Sequence, residues 1–178
     1  NENDCLSVVD KMYTKGVSSV LDYSVEGKED EEQFDAALKM TLKTIEFAKE
    51  RDAIPFAVFK PTGLGRFELF EKLGDNQILS TTEKEEWNKV VNRFDLICAE
   101  AHKKNVSLLI DAEESWMQDA ADDLVTQMMK KYNKEKAIVY NTLQMYRHDR
   151  LDYLKKLHAQ AKEEGFFIGM KIVRGAYM

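Results

Sequence analysis

Residues 167–177 read Phe-Ile-Gly-Met-Lys-Ile-Val-Arg-Gly-Ala-Tyr, an apolar run that ends in two cations, two small residues and an aromatic ring. The apolar part is typical of a buried strand. Lys171 and Arg174 are costly to bury without partners, so packing alone does not explain their position at its end. We therefore interpret the segment as a strand that finishes at a ligand-binding edge.

Three earlier apolar segments repeat this pattern and indicate strands over residues 56–60, 106–111 and 137–141. A polar side chain stands at or just beyond the end of each, and these side chains are Lys60, Asp111, Asn141 and Gln144. Because the carboxyl ends of parallel strands meet at one face of a barrel, we expect a site assembled there.

Helical patterns separate these strands along the chain. Apolar residues at three- and four-residue spacing predict helices over residues 29–52, 82–101, 115–132 and 151–164. A first strand is expected over residues 17–23. The alternation predicts an α/β fold whose parallel sheet is covered on both faces. A barrel and a doubly wound open sheet both satisfy this pattern.

Local signals mark where two of the helices begin and end. Thr82 and Glu85 have the spacing of a capping box at a helix start, and Gly165 occupies the position that a C-terminal cap prefers. Gly63 and Gly65 belong to a predicted loop after the second strand. The third glycine of a dinucleotide-binding fingerprint is missing there, so that motif is not indicated.

The composition indicates a globular domain, and its acidic charge balance favours a small or neutral ligand. The 178 residues are 44% hydrophobic and 10% aromatic, which is enough to bury a core. The 32 acidic residues exceed the 26 basic ones and give a net charge of −6. This balance provides no basic footprint for nucleic acid, so we expect no nucleic-acid partner.

The two cysteines and the apolar runs indicate a reducing compartment and no membrane span. Cys98 falls on the apolar stripe of a predicted helix, so we expect a packed thiol rather than a disulfide with Cys5. No apolar run approaches the roughly 20 residues that cross a bilayer. The first residue is Asn1 and the last is Met178, directly after the densest motif, as expected of a fragment.

Two of the strand-end groups have more than one chemical interpretation. Lys60 suits a carboxylate contact, a Schiff-base nucleophile if its pKa is lowered, or simply a solvent-facing residue at the start of a loop. The acids after the third predicted strand suit a cofactor or proton-transfer role, a cap for the next helix or, least well, Mg²⁺. His102, His148 and His158 lack the spacing of a metalloprotease motif, and we expect no metal site.

The fourth predicted strand brings amides to the carboxyl edge of the sheet, and the fifth brings cations there. Asn141 and Gln144 suit the edge of a heterocycle, and an ordinary polar loop explains them equally well. Lys171 and Arg174 lie three residues apart, so they serve one small ligand only if the strand ends between them. Gly175, with Ala176 beside it, permits close approach of a ligand to the backbone.

Taken in order, these segments resemble the proline dehydrogenase family, flavin enzymes whose catalytic domain is a distorted (β/α)8 barrel. The motifs that carry the resemblance are Leu21-Asp22-Tyr23, Lys60 with Gly63-Leu64-Gly65, Asp111-Ala112-Glu113-Glu114, Asn141-Thr142-Leu143-Gln144-Met145-Tyr146, and Lys171-Ile172-Val173-Arg174-Gly175-Ala176-Tyr177. The resemblance implies a (β/α)8 TIM-like barrel with about its first five β/α units present, so that residues 1–178 form an incomplete proline dehydrogenase barrel domain.

The resemblance also implies a reaction: oxidation of L-proline to Δ1-pyrroline-5-carboxylate in proline catabolism, with a hydride passing to FAD and electrons passing on to a quinone. Lys60 would contact the substrate carboxylate, Asp111 would lie by substrate and flavin, Lys171 would stand near flavin N5, and Tyr177 would touch the substrate. Gln144 would bond the isoalloxazine edge. The full set of implied FAD contacts is Ala112, Gln144, Val173, Arg174, Gly175 and Ala176.

Further expectations follow from the family. A later helix of the family supplies paired arginines for the substrate, and it lies beyond residue 178, so we expect these residues alone to bind FAD weakly or not at all and to lack turnover. A bacterial protein would be cytoplasmic or peripherally membrane-associated, and a eukaryotic one would lie in mitochondria, on the matrix side of the inner membrane. The oligomeric state stays open.

Two other functions fit the same residues. An aldolase-like barrel would use Lys60 or Lys171 as an imine-forming amine beside an acid such as Asp111. A non-catalytic interaction module would instead cover its open sheet edge with another copy or fragment.

Overall fold

The computed structural model describes residues 2–22 and 29–175, with no account of the side chains of residues 2–4. Six α-helices and four β-strands occur in these ranges. The helices are α1 (Glu2–Tyr13), α2 (Glu31–Ala48), α3 (Phe67–Gly74), α4 (Thr81–Lys104), α5 (Ser115–Tyr132) and α6 (Arg150–Glu164). The strands are β1 (Phe56–Phe59), β2 (Ser107–Ile110), β3 (Val139–Gln144) and β4 (Met170–Val173).

The four strands form one parallel sheet in the order β1-β2-β3-β4. A doubly wound sheet reverses its strand order at a switch point, whereas a barrel adds each strand beside the previous one. Since parallel crossovers are right-handed, a sheet that grows in one direction keeps its connecting helices on one side. The order therefore favours an arc of a barrel over the doubly wound alternative.

The core lies between the sheet and the helices. On α4, Phe94, Ile97, Cys98 and Ala101 are all fully buried. Phe94 meets the strand residue Phe59 edge to face, with ring centroids 5.1 Å apart. The predicted packed thiol at Cys98 is confirmed, and its burial raises the pKa of that thiol. Of the described helices, none combines the length and apolarity needed to cross a bilayer.

The prediction of a strand over residues 17–23 is wrong for the described part of that segment. Only Leu21 bridges to the sheet, in parallel to Ala57, while Ser19 donates its N–H to the carbonyl of Ala53 at 2.8 Å. Val17 and Val20 are exposed, so the apolar residues that suggested a strand do not bury one face. Tyr23 lies outside the described residues.

Two helices were not predicted, and one strand is longer than expected. The short helix α3 buries Leu69 and Phe70 against α5, in a region where the loop glycines dominated the prediction. Strand β3 continues to Gln144, so Gln144 lies within it rather than beyond its end, and Asn141, predicted as its last residue, lies inside it. The helix α1 has no sequence signal that we identified. The end of α6 is as predicted, with Gly165 in the left-handed conformation at φ 67°.

The predicted capping box is displaced by two residues. The helix α4 begins with Ser80 as its cap: the Ser80 hydroxyl accepts the N–H of Glu83 at 3.3 Å, and the Glu83 carboxylate accepts the N–H of Ser80 at 2.9 Å. Thr82 and Glu85 are exposed within the first turns. Both pairs satisfy the same spacing rule, so the sequence alone does not separate them.

Ser80→Ala is expected to lower the free energy of unfolding by about 1 kcal/mol, because a helix N–H loses its acceptor. Thr82→Ala is the matched control and is expected to change it by less than about 0.5 kcal/mol, as for other surface substitutions. Urea unfolding followed by circular dichroism measures both. An equal loss in the two variants would contradict the capping box at Ser80.

Candidate active site at the carboxyl edge of the sheet

Four polar side chains lie level with one another across the sheet. Asp111 donates its N–H to the carbonyl of Phe59 at 3.0 Å, which places Lys60 and Asp111 side by side. The β2–β3 register, continued by two residues, places Asp111 beside Thr142, and Thr142 pairs with Lys171. Because level residues of a parallel sheet share a face, the structure brings three of the predicted catalytic residues into one row.

An ion pair joins two members of this row. The Lys171 Nζ donates to Asp111 Oδ1, between side chains that are 32% and 19% exposed. A partly buried cation and a partly buried acid are costly separately, and their pairing offsets that cost. The site therefore holds two opposite charges as a partly buried pair at the strand ends.

Gln144 lies near this pair, at the end of β3. Its side chain is only 5% exposed, and its Nε2 donates to the carbonyl of Glu113 at 2.7 Å. Its Oε1 is 3.5 Å from a guanidinium nitrogen of Arg147. The amide is thus held at the sheet edge by backbone and side-chain contacts.

The acids that follow β2 have separate roles. Glu113 accepts both the N–H of Thr62, at 2.9 Å, and the Thr62 hydroxyl, at 2.5 Å. Glu114 is exposed at the N-cap position of α5, and its side chain makes no capping hydrogen bond. Ala112 is half-buried between Asp111 and Glu113. The link from Glu113 to Thr62 joins residues 51 positions apart, and sequence reasoning missed it.

A buried polar cluster lies on the opposite face of the sheet. Asn141, 1% exposed, donates to Asp122 at 2.8 Å, and Asp122 also accepts from Gln118 at 2.8 Å and from Arg150 at 2.5 Å. Burial raises the pKa of Asp122 against the opposing effect of these partners. Burial also raises the pKa of the adjacent Tyr153 to about 12. Asn141 therefore contacts the helix layer, and the expectation that it adds an amide to the ligand edge is wrong.

The end of β4 lies where Lys171 and Arg174 can both serve one small ligand. The strand ends at Val173, between Lys171 and Arg174, and the Val173 carbonyl accepts the N–H of Met145 at 2.8 Å. Arg174 is exposed, and a β-carbon built on Gly175 would meet no atom of the described residues within 4 Å. The predicted site residues Ala176 and Tyr177 lie outside the described residues.

The described residues contain no group of three or more histidine, cysteine, aspartate or glutamate side chains arranged to hold a metal ion.

The strands of the parallel sheet follow one another in sequential order, and an acid, an amine and an amide lie at its carboxyl edge. These two features define the class of β/α-barrel proteins.

Sequence comparisons identify the family. The model of the family described as "Proline dehydrogenase" matches residues 5–178. The chain is 37% identical over 163 residues to the carbapenem antibiotics biosynthesis protein CarD of Pectobacterium carotovorum subsp. carotovorum, covering 92% of this chain and 43% of CarD. It is 29% identical over 208 residues to proline dehydrogenase 1, mitochondrial, of Dictyostelium discoideum, covering 95% of this chain and 36% of that protein.

Solved structures share the fold. Proline utilization A (PutA) from Bdellovibrio bacteriovorus, inactivated by N-propargylglycine, superposes with a TM-score of 0.79 at 16% identity, covering 97% of this chain and 19% of that one. PutA from Corynebacterium freiburgense gives a TM-score of 0.71 at 17% identity, with coverages of 97% and 17%. These similarities confirm the predicted α/β class and its partial TIM-like barrel.

This chain belongs to the proline dehydrogenase family. It spans less than half the length of the two curated relatives described above.

Proposed function

We propose that the protein oxidises L-proline to Δ1-pyrroline-5-carboxylate in proline catabolism, with the hydride passing to FAD and the electrons to a quinone. Family membership supports this activity. The observation that carries it is the row of Lys60, Asp111 and Lys171 at the carboxyl edge, with the Lys171–Asp111 ion pair at its centre. A cation for the substrate carboxylate and an acid for its amine are the groups that an amino-acid substrate requires.

The residues at this edge fit a flavin. A flavin ring needs hydrogen-bonding partners along its edge and a nearby positive charge, which Gln144 and Lys171 supply from neighbouring strands. Gly175 has no side chain, so its backbone can lie close to a large cofactor. Residues that would hold FAD are Ala112, Gln144, Val173, Arg174 and Gly175, together with Ala176, which lies outside the described residues.

The reaction removes a hydride from a ring carbon of proline and releases a proton from its nitrogen to solvent. FAD supplies the two-electron acceptor when bound. Lys60 would bind the substrate carboxylate, and Asp111 would orient the ring nitrogen through a hydrogen bond. Lys171 would stabilise the negative charge that a bound flavin ring gains when it accepts the hydride. Tyr177, outside the described residues, would contact the substrate.

The electron acceptor and the compartment belong to the same proposal. A quinone acceptor implies contact with a membrane surface, so we propose peripheral association of the full-length protein. In a eukaryote this membrane would be the inner mitochondrial membrane on its matrix side, in keeping with the mitochondrial names of eukaryotic relatives. In a bacterium the protein would be cytoplasmic or peripheral on the membrane.

Anaerobic addition of L-proline to the purified full-length protein is expected to bleach its flavin absorbance, because the substrate reduces the bound ring. Adding a quinone analogue is expected to restore the absorbance. A protein that stays colourless when reconstituted with FAD, or that keeps an oxidised flavin in excess proline, would contradict the proposal. Trapping of a carbonyl substrate on Lys60 or Lys171 by borohydride would instead support the aldolase-like alternative.

A further inference from the structure

One residue joins the ends of three strands at the proposed site. Glu113 belongs to the turn after β2, and its carboxylate holds the backbone N–H and the hydroxyl of Thr62, at 2.9 and 2.5 Å, in the turn after β1. Its carbonyl accepts the side chain of Gln144, from β3, at 2.7 Å. These contacts bridge turns that belong to separate β/α units.

The position of Glu113 is itself fixed from the helix layer. Its N–H donates to Oε1 of Gln118 at 3.0 Å, and Gln118, 1% exposed, is held by Asp122 at 2.8 Å. A residue whose backbone is anchored in this way holds the partners of its side chain within a narrow range of positions. The Thr62 contact is therefore a rigid attachment between the β1 turn and the rest of the site.

Thr62 follows Lys60 by two residues, and Lys60 has an extended backbone, with φ −108° and ψ 137°, that leads directly into the turn. We propose that Glu113 is a positioning residue that, through Thr62, holds Lys60 where it binds the substrate carboxylate. This inference rests on the proposed function. Lys60 would bind substrate equally in the ground state and the transition state, so loss of its position is expected to raise KM more than it lowers kcat.

The test compares substitutions of Glu113 in the full-length protein, with proline as substrate. Glu113→Ala is expected to raise the KM for proline about tenfold or more while kcat changes less than about threefold, since small displacements of binding groups have large effects. Glu113→Gln keeps an acceptor for the Thr62 N–H and a donor for its hydroxyl, so its KM is expected to stay within about threefold of the wild type. Glu114→Ala, one residue along and exposed, is the matched control and is expected to leave both constants unchanged.

Hydrogen exchange provides a readout that does not require turnover. In Glu113→Ala the Thr62 amide is expected to exchange at least tenfold faster, whereas the Glu114→Ala control keeps the wild-type rate. Unchanged exchange and an unchanged KM in Glu113→Ala would overturn the inference. A KM in Glu113→Gln as high as in Glu113→Ala would also overturn it. The negative charge of Glu113, and not its hydrogen bonds to Thr62, would then be responsible for the low KM of the wild type.

Failure of the inference is distinguishable from failure of the proposed function. If the wild-type protein does not reduce its flavin with proline, the proposed function is wrong, whatever the exchange rates. If the wild type reduces its flavin and Glu113→Ala keeps the wild-type KM, the positioning role alone is wrong.

Discussion

Replacing Lys171 with Met lowers the rate of flavin reduction by proline at least tenfold if the ion pair at the strand ends has its proposed role. The substitution keeps much of the side-chain volume and removes the positive charge that would stabilise the negative charge gained by the reduced flavin. It also leaves Asp111, 19% exposed, without the amine that neutralises it. Loss of one such contact in a transition state typically costs a factor of 10² or more.

Stopped-flow absorbance under anaerobic conditions measures this rate directly. Lys171→Arg is expected to retain most of it, because the charge is kept and a guanidinium still reaches a carboxylate. Lys155→Met is the matched control: Lys155 and Asp152 form an ion pair at 3.6 Å whose side chains are 68% and 75% exposed. Exposed pairs of this kind contribute little, so the control is expected to behave as the wild type.

The double variant tests whether the two charges act together. Asp111→Ala alone is expected to lower the reduction rate at least tenfold, since the substrate nitrogen loses its partner. If Lys171 and Asp111 act as a unit, combining Asp111→Ala with Lys171→Met costs much less than the product of the single effects. A reduction rate in Lys171→Met within threefold of the wild type would show that this amine does not stabilise the reaction.

The site was predictable where a local pattern specifies it. An apolar run followed by one polar residue marked Lys60 and Asp111, because parallel strands bring their carboxyl ends to the same edge. Lys171 was predicted for the same reason, although it lies within β4 rather than beyond it. The structure adds the register that sets these residues side by side.

Contacts between distant segments were not predictable. Glu113 was one of several acids in its turn, and nothing local distinguishes it from its exposed neighbour Glu114. The carboxyl end of β3 was predicted at Asn141, whereas the strand continues to Gln144, and both polar side chains are buried by partners from other elements. Burial of a polar group depends on such partners, and their positions follow from the tertiary fold.

The contacts of Asn133, at the amino-terminal edge of the sheet, also could not be predicted from the sequence. Asn133 caps the C-terminus of α5 and is completely buried. Its Nδ2 donates to the carbonyls of Val139, at 2.9 Å, and Phe167, at 3.0 Å. Its Oδ1 accepts the N–H groups of Ile138 and Val139, both at 2.9 Å. An amide offers two donors and two acceptor lone pairs, so this side chain uses all of its capacity.

These bonds join the end of α5 to the start of β3 and to the segment that precedes β4. Residues at the amino-terminal edge of a barrel contribute to stability, whereas the carboxyl edge provides the chemistry. Asn133 is therefore expected to stabilise the fold without taking part in the reaction, in contrast to Lys171.

Asn133→Ala is expected to lower the free energy of unfolding by about 3 kcal/mol or more, because several buried backbone groups lose their partners at about 1–3 kcal/mol each. Urea unfolding at constant m-value measures the loss. Asn92→Ala removes the same side chain from an exposed position on α4 and is expected to change stability by less than about 0.5 kcal/mol. In the fraction of Asn133→Ala that stays folded, the rate of flavin reduction by proline is expected to match the wild type. A loss of stability below about 1 kcal/mol would mean that water replaces the amide, and the four hydrogen bonds would then not be what holds this edge of the sheet together.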